Sequence, residues 1–179
     1  GSSKTETEYS VVDGIIQKLT NSVEAYTSGV YEAAKAQYQL TNGIPKTVDK
    51  YVEMRESIIG DMKEQGLSFD TRLAALNSLD SEYKQIFDLS SAEVQARKFI
   101  GLIKGYGNGT KDGTNEIGTV ETFLNMRTAV NNNECSVGEY LAQFDEIDKM
   151  TENWSDEEKE LLNASFGLDT DAIKQLYEE

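Results

Sequence analysis

The chain has 179 residues, with 17 Lys plus Arg, 32 Asp plus Glu, one Cys, one Pro and no His. Its length and its 38% hydrophobic, 27% charged composition are those of a soluble globular protein, and no apolar run reaches the ~18 residues of a membrane span. The absence of His excludes Ser-His and Cys-His nucleophiles and the commonest zinc ligand, and Cys135 alone allows no internal disulfide. We therefore expect no enzyme activity, no metal and no cofactor.

The chain begins with Gly1-Ser2, which is typical of the residue left by a cleaved tag. We therefore expect native residues to be missing before Ser3. Two explanations stay open. Either a signal peptide or membrane anchor has been removed, or the chain is a domain cut from a larger polypeptide.

Apolar residues at helical spacing predict a long first helix over residues 4–40. A heptad seam with steps of three and four runs along it. The seam consists of Tyr9, Val12, Ile16, Leu19, Val23, Tyr26, Val30, Ala33, Gln37 and Leu40. Thr41-Asn42-Gly43 predicts the end of this helix, and Pro45 predicts the start of a second one over about 46–65. Together they predict a long N-terminal helical hairpin.

Tyr31 and Tyr38 lie seven residues apart and one position off this seam. Both are therefore expected to point away from the first partner of the helix. Either a second layer of the core covers them, or they form an exposed aromatic pair for a binding partner. Both tyrosines are kept as candidates for partner binding.

Two further helices are predicted before residue 105. The first runs over 70–87 with a leucine-rich apolar stripe, and the second begins at the capping box Ser90-Ser91-Ala92-Glu93. With the long hairpin, these helices make a four-helix N-terminal part over residues 1–104.

A Gly-rich segment follows over residues 105–115 and is interpreted as a loop between two parts of the chain. It lacks the GxxxxGK[ST] order of a phosphate-binding loop. A calcium loop that starts at Asn108 would place Thr119 where a bidentate Glu belongs, so no metal is expected there.

The acidic C-terminal part, residues 116–179, is predicted to be helical and to pack on the first part as one domain. A helix is predicted over about 116–131, and capping boxes at Ser136 and Ser155 begin two more, with Trp154 as a core residue. Asp169 is expected to cap a last short helix. Because no stretch alternates convincingly, we predict an all-α fold. It is expected to be an irregular multi-helix bundle with a long N-terminal helical hairpin and a C-terminal cluster of shorter helices.

Negative charge is concentrated toward the C-terminus, where residues 107–179 carry five basic and seventeen acidic side chains. Such a field repels nucleic acid and anionic membranes and attracts basic proteins. The candidates for contact with a basic partner are Asp145, Asp148, Glu152 and Glu157. The alternative is a solvated surface that keeps the protein soluble.

The leading hypothesis is a non-enzymatic helical module that binds another protein and is exported or associated with the cell envelope. The alternative is an intracellular, cytoplasmic adaptor or inhibitor whose acidic third engages a basic or nucleic-acid-binding partner. A hydrolase with paired carboxylates is a third hypothesis. No binding to nucleic acid and no insertion of this segment into a membrane are expected.

Overall fold

The computed structural model describes residues 9–12, 15–18, 27–105 and 115–166. Over these ranges the chain forms seven helices that pack against each other and one short β-hairpin. In chain order the elements are β1 (Tyr9–Val12), β2 (Ile15–Lys18), α1 (Thr27–Asn42), α2 (Val48–Glu64), α3 (Phe69–Tyr83), α4 (Ala92–Lys104), α5 (Asn115–Asn131), α6 (Val137–Met150) and α7 (Asp156–Phe166). The predicted all-α class of the domain is confirmed, and the β-hairpin is an addition to it.

The β-hairpin replaces the beginning of the predicted first helix. β1 and β2 pair antiparallel, with Val12 opposite Ile15. Asp-Gly between two runs of β-branched residues is a strong hairpin signal, and here this local preference outweighs the heptad spacing. The prediction of a helix over residues 4–40 is therefore wrong in its first half. α1 begins at Thr27, and residues 19–26 of the predicted seam lie outside the described ranges.

α1 buries a different face from the predicted seam. The seam residue Leu40 is 85% exposed, and Ala33 and Gln37 are exposed as well. Tyr31 and Tyr38, in contrast, are half-buried and pack against the core. Because positions seven apart share one face of a helix, one side of α1 carries both tyrosines into contact with the core. The predicted seam is therefore wrong along α1.

The buried apolar side chains form one continuous cluster. Tyr51 of α2, Leu76 of α3 and Phe99 of α4 belong to it, and α5 packs along α4 to extend it. At the α5–α6 contact, the rings of Phe123 and Phe144 meet edge to face at 5.4 Å between centroids. Burying a side chain of this size contributes ~1.5–3 kcal/mol. α4 and α5, which lie on either side of residues 105–115 in the sequence, pack against each other. The proposed division of the chain into two parts at these residues stays a prediction.

Serine side chains cap two of the helices, α6 and α7, as the sequence indicates. Ser136 Oγ accepts the Glu139 N–H, and Ser155 and Glu158 exchange both bonds of a capping box. The α4 cap is Ser91, whose Oγ accepts the Val94 N–H, so the predicted box at Ser90 is displaced by one residue. These caps satisfy backbone donors that a helix leaves unpaired at its beginning.

Trp154 is 6% exposed, which confirms it as a core residue. The Gly-rich segment beyond Gly105 and the expected last helix after Asp169 lie outside the described residues. Among the helices that are described, none combines the length and the apolar character needed to cross a membrane.

Candidate partner-binding surface at one end of the bundle

The ends of α1 and α3 and the beginning of α2 meet at one end of the bundle. Gln39 Nε2 donates a hydrogen bond to Tyr83 Oη at 2.9 Å, which joins α1 to α3. The ring of Tyr51, in the first turn of α2, lies 4.8 Å from that of Tyr83 and 6.2 Å from that of Phe87, between centroids. This aromatic group fixes the positions of the chain segments around it.

Three large apolar side chains are exposed at this end, where Leu40 is 85% exposed and Ile44 and Ile86 are each 68% exposed. Leu40 is in the last turn of α1, Ile44 is in the α1–α2 turn, and Ile86 follows α3, where its N–H donates to the Tyr83 carbonyl at 2.9 Å. Elsewhere in the described chain, Val137 is the other exposed large apolar residue, and it is exposed to only 36%. Single exposed apolar residues are ordinary, whereas exposed apolar patches mark interaction surfaces. Three large apolar residues exposed at the same end of the bundle make that end the candidate interaction surface. We call the surface of Leu40, Ile44 and Ile86 the apolar pole.

A cleft of about 450 Å³ opens at the apolar pole beside Ile44. Tyr38 of α1 lines it, together with Lys50 and Glu53 of α2. Lys50 Nζ lies 3.3 Å from Glu53 Oε2, whereas Lys46, at the rim, forms no ion pair with any residue that the structure describes. The cleft therefore offers apolar and aromatic surface together with one cation available to a ligand.

The turn that shapes the cleft is held by backbone and side-chain hydrogen bonds. Gly43 has φ +80°, a left-handed conformation that glycine adopts without steric cost, and its N–H donates to the Gln39 carbonyl at 2.8 Å. Thr47 Oγ1 accepts the Lys50 N–H at 3.1 Å and caps α2. Ile44 is thus presented by an ordered turn.

A buried ionic cluster lies behind the apolar pole and joins three helices. Arg55 of α2, Asp80 of α3 and Lys98 of α4 are each 0% exposed. Arg55 Nη1 lies 3.2 Å from Asp80 Oδ1, and Lys98 Nζ lies 2.6 Å from Asp80 Oδ2. The Tyr51 hydroxyl donates to the same carboxylate, and Arg55 Nη2 donates to the Val94 carbonyl at 2.6 Å. One carboxylate therefore organises donors from α2 and α4.

Electrostatics keep Asp80 ionised. Burial alone would raise the pKa of its carboxyl group, but the charges of Lys98 and Arg55 outweigh this and place the pKa below its ordinary value. Burial and the negative charge of Asp80 raise the pKa of Tyr51, so its hydroxyl keeps its proton and remains a donor. Burial lowers the pKa of Lys98 despite the opposing charge of Asp80.

The cluster positions helices and offers no reaction site. Tyr51, Arg55, Asp80 and Lys98 are all closed to solvent, so a substrate has no surface of theirs to contact. Buried ion pairs of this kind constrain which elements pack together, because a displaced helix would leave a charge unpaired in the core. The cluster thus holds α2, α3 and α4 in the arrangement that presents the apolar pole.

The residues proposed from the sequence fall in different places. Tyr38 lines the cleft, whereas Tyr31 lies nearer the beginning of α1, with Lys35 Nζ 5.6 Å from its ring centroid. The acidic candidates Asp145, Asp148, Glu152 and Glu157 are exposed on α6, on the turn after it and on α7, and none of them lines the cleft. In the part of the chain that is described, no three carboxylates or thiols are arranged to hold a metal ion. The role of these residues in partner binding stays a prediction.

Sequence reasoning missed two features of this end of the molecule. It did not single out Ile44, whose signal is an isoleucine within a turn, where polar residues are usual. It also extended the third helix to residue 87, whereas α3 ends at Tyr83 and leaves Ile86 exposed in the turn that follows. It also passed over Arg55, Asp80 and Lys98. Comparison with known proteins adds no relative: no family model, no curated protein and no solved structure matches the chain.

Proposed function

We propose that the protein is a non-enzymatic protein-binding module and that its partner binds at the apolar pole. The observation that carries this proposal is the exposure of Leu40, Ile44 and Ile86 at the same end of the bundle, where Ile44 also lines a cleft. Covering a large aliphatic side chain fully contributes ~1.5–3 kcal/mol, so contact with these three residues is a substantial source of affinity. An ordered turn presents Ile44, which limits the entropy lost when a partner binds.

The chemistry of the cleft describes the partner. A volume of about 450 Å³ accommodates one or two apolar side chains, and Tyr38 supplies an aromatic wall for them. Lys46 at the rim is available to a carboxylate beside the apolar anchor. The partner segment therefore combines an apolar residue with a neighbouring acidic residue.

A photo-crosslinking group at residue 46 tests this proposal. In an extract of the source organism it should capture one discrete polypeptide, and Ile44→Asp in the same molecule should abolish that adduct while the circular dichroism spectrum and Tm stay unchanged. The same group at exposed Lys149 on α6 is the matched control. An adduct that survives Ile44→Asp, or that forms equally from position 149, contradicts binding at the apolar pole.

A second candidate function is that of an acidic adaptor or inhibitor with a basic partner. It is supported by the exposure of Asp145, Asp148, Glu152 and Glu157, which lie in a region of concentrated negative charge. Steering by such charge weakens as salt rises. Changing these four residues to Lys should then slow association, whereas Ile44→Asp should not. The first function goes with export or the cell envelope, and the second with the cytoplasm.

A further inference from the structure

Arg72, in the first turn of α3, is a buried cation that forms no ion pair with any residue that the structure describes. Its side chain is 6% exposed, and its Nη1 is buried without a hydrogen-bond partner. Its Nε reaches the Ser68 carbonyl at 3.4 Å, which is a long bond. The ring of Phe69 lies 6.0 Å from the guanidinium carbon and offers only partial compensation.

The surroundings of Arg72 are also positive. Lys63, in the last turn of α2, donates from Nζ to the Ile103 carbonyl at 2.7 Å. Burial and the nearby charge of Arg72 lower the pKa of Lys63. Lys104 is already paired, since its Nζ lies 2.8 Å from Glu158 Oε2. The charge of Glu158 also acts on Lys63, but Glu158 is paired with Lys104, so one carboxylate is shared among three neighbouring cations, Lys63, Arg72 and Lys104.

The backbone adds to this positive field. α3 begins directly after its cap Ser68, so the positive end of its dipole lies beside Arg72, where the carboxylate of Asp70 in the same turn offsets part of it. A guanidinium withdrawn from water costs several kcal/mol when no anion compensates it. Such a group, next to a second cation and a helix N-terminus, is the arrangement by which proteins bind oxyanions.

We propose that Arg72 and Lys63 bind a small oxyanion of the phosphate class at the α2–α3 turn. This site is at the opposite end of α2 from the apolar pole and does not depend on the function proposed for that surface. The planar guanidinium supplies paired N–H donors to phosphate oxygens, and the Lys63 ammonium supplies a second positive charge. The ligand is either inorganic phosphate or a phosphate monoester.

Thermal unfolding of the whole chain in inorganic phosphate tests the site, with chloride at equal ionic strength as the reference. At ten times its Kd, phosphate should raise Tm by about 3–6 °C. Phosphoserine as a second probe distinguishes the two ligands. A larger rise in Tm with phosphoserine than with inorganic phosphate identifies the ligand as a monoester, and an equal or smaller rise identifies it as inorganic phosphate.

Substitutions locate the effect. Arg72→Met and Lys63→Met should each remove the phosphate-dependent rise, whereas Lys46→Met, which removes a lysine at the other end of α2, should retain it. In phosphate-free buffer Arg72→Met should unfold at the same temperature as the wild type or higher, because the substitution removes an uncompensated buried charge. If Arg72→Met does not fold, Lys63→Met decides. No rise in the wild type, or an undiminished rise in Lys63→Met, overturns the proposal.

Discussion

Replacing Asp80 by Asn should destabilise the protein strongly. The substitution preserves the shape of the side chain but leaves Arg55 and Lys98, both 0% exposed, without their anion. Removing one partner of a buried ion pair costs about 3–5 kcal/mol, which is a large part of the 5–15 kcal/mol that stabilises a typical domain. We expect Tm to fall by roughly 6–20 °C for a chain of this length.

Removing one of the two cations should cost less. With Lys98→Met, the cluster keeps one carboxylate and one guanidinium, and Arg55 Nη1 remains 3.2 Å from Asp80 Oδ1. The order of stability should therefore be wild type, then Lys98→Met, then Asp80→Asn. Urea denaturation followed by circular dichroism at 222 nm measures all three, with exposed Asp61→Asn as the control for loss of one negative charge. An Asp80→Asn cost below about 1 kcal/mol, or a larger cost for Lys98→Met, refutes the reasoning.

Three further predictions follow from single groups. The pKa of Asp80 is lowered in the folded state, so its contribution to the free energy of unfolding is complete above its unfolded pKa of about 3.9 and is lost as pH falls through the lower folded pKa. In urea titrations at acid pH, the stability difference between wild type and Asp80→Asn should therefore narrow, and a wider difference would contradict this. Gly105→Ala should lower Tm more than Gly43→Ala. Both glycines have positive φ, but a Cβ at Gly105 would lie 2.3 Å from Lys63 Cδ, whereas Gly43 faces open space. Equal decreases in Tm would contradict this and show that the Lys63 side chain moves aside freely. Ser155→Ala should cost about 1 kcal/mol in urea denaturation through loss of the α7 cap, and an unchanged midpoint would contradict that role.

The helical class was predictable because periodicity and capping act locally. Ser136 and Ser155 each accept the backbone N–H of a glutamate three residues later, and both begin helices. Periodicity is misleading before Thr27, because the same residues also carry a hairpin signal around Asp13-Gly14. The heptad spacing and the hairpin signal overlap there, and the chain forms the β-hairpin.

The amino-acid sequence does contain a signal for the buried ionic cluster. Arg55, Asp80 and Lys98 each occupy a position on the apolar stripe of their own helix, where a charge is unfavourable unless another helix supplies its partner. Three such charges on neighbouring helices predict a mutual contact. The apolar pole had no such signal, because Leu40, Ile44 and Ile86 come from segments that only the packing of α1, α2 and α3 brings to one end.

The affinity of the partner recovered by crosslinking, measured with purified proteins, tests the central claim most directly. The few residues that dominate an interface each cost about 2 kcal/mol or more when they are replaced, which corresponds to about a 30-fold change in Kd, and we expect Ile44 to be one of them. Ile44→Lys should therefore weaken binding by about 30-fold or more. Val137→Lys, which places the same charge at an exposed apolar position on α6, should leave Kd unchanged. Equal Kd values for wild type and Ile44→Lys, with both proteins folded, would contradict binding at the apolar pole.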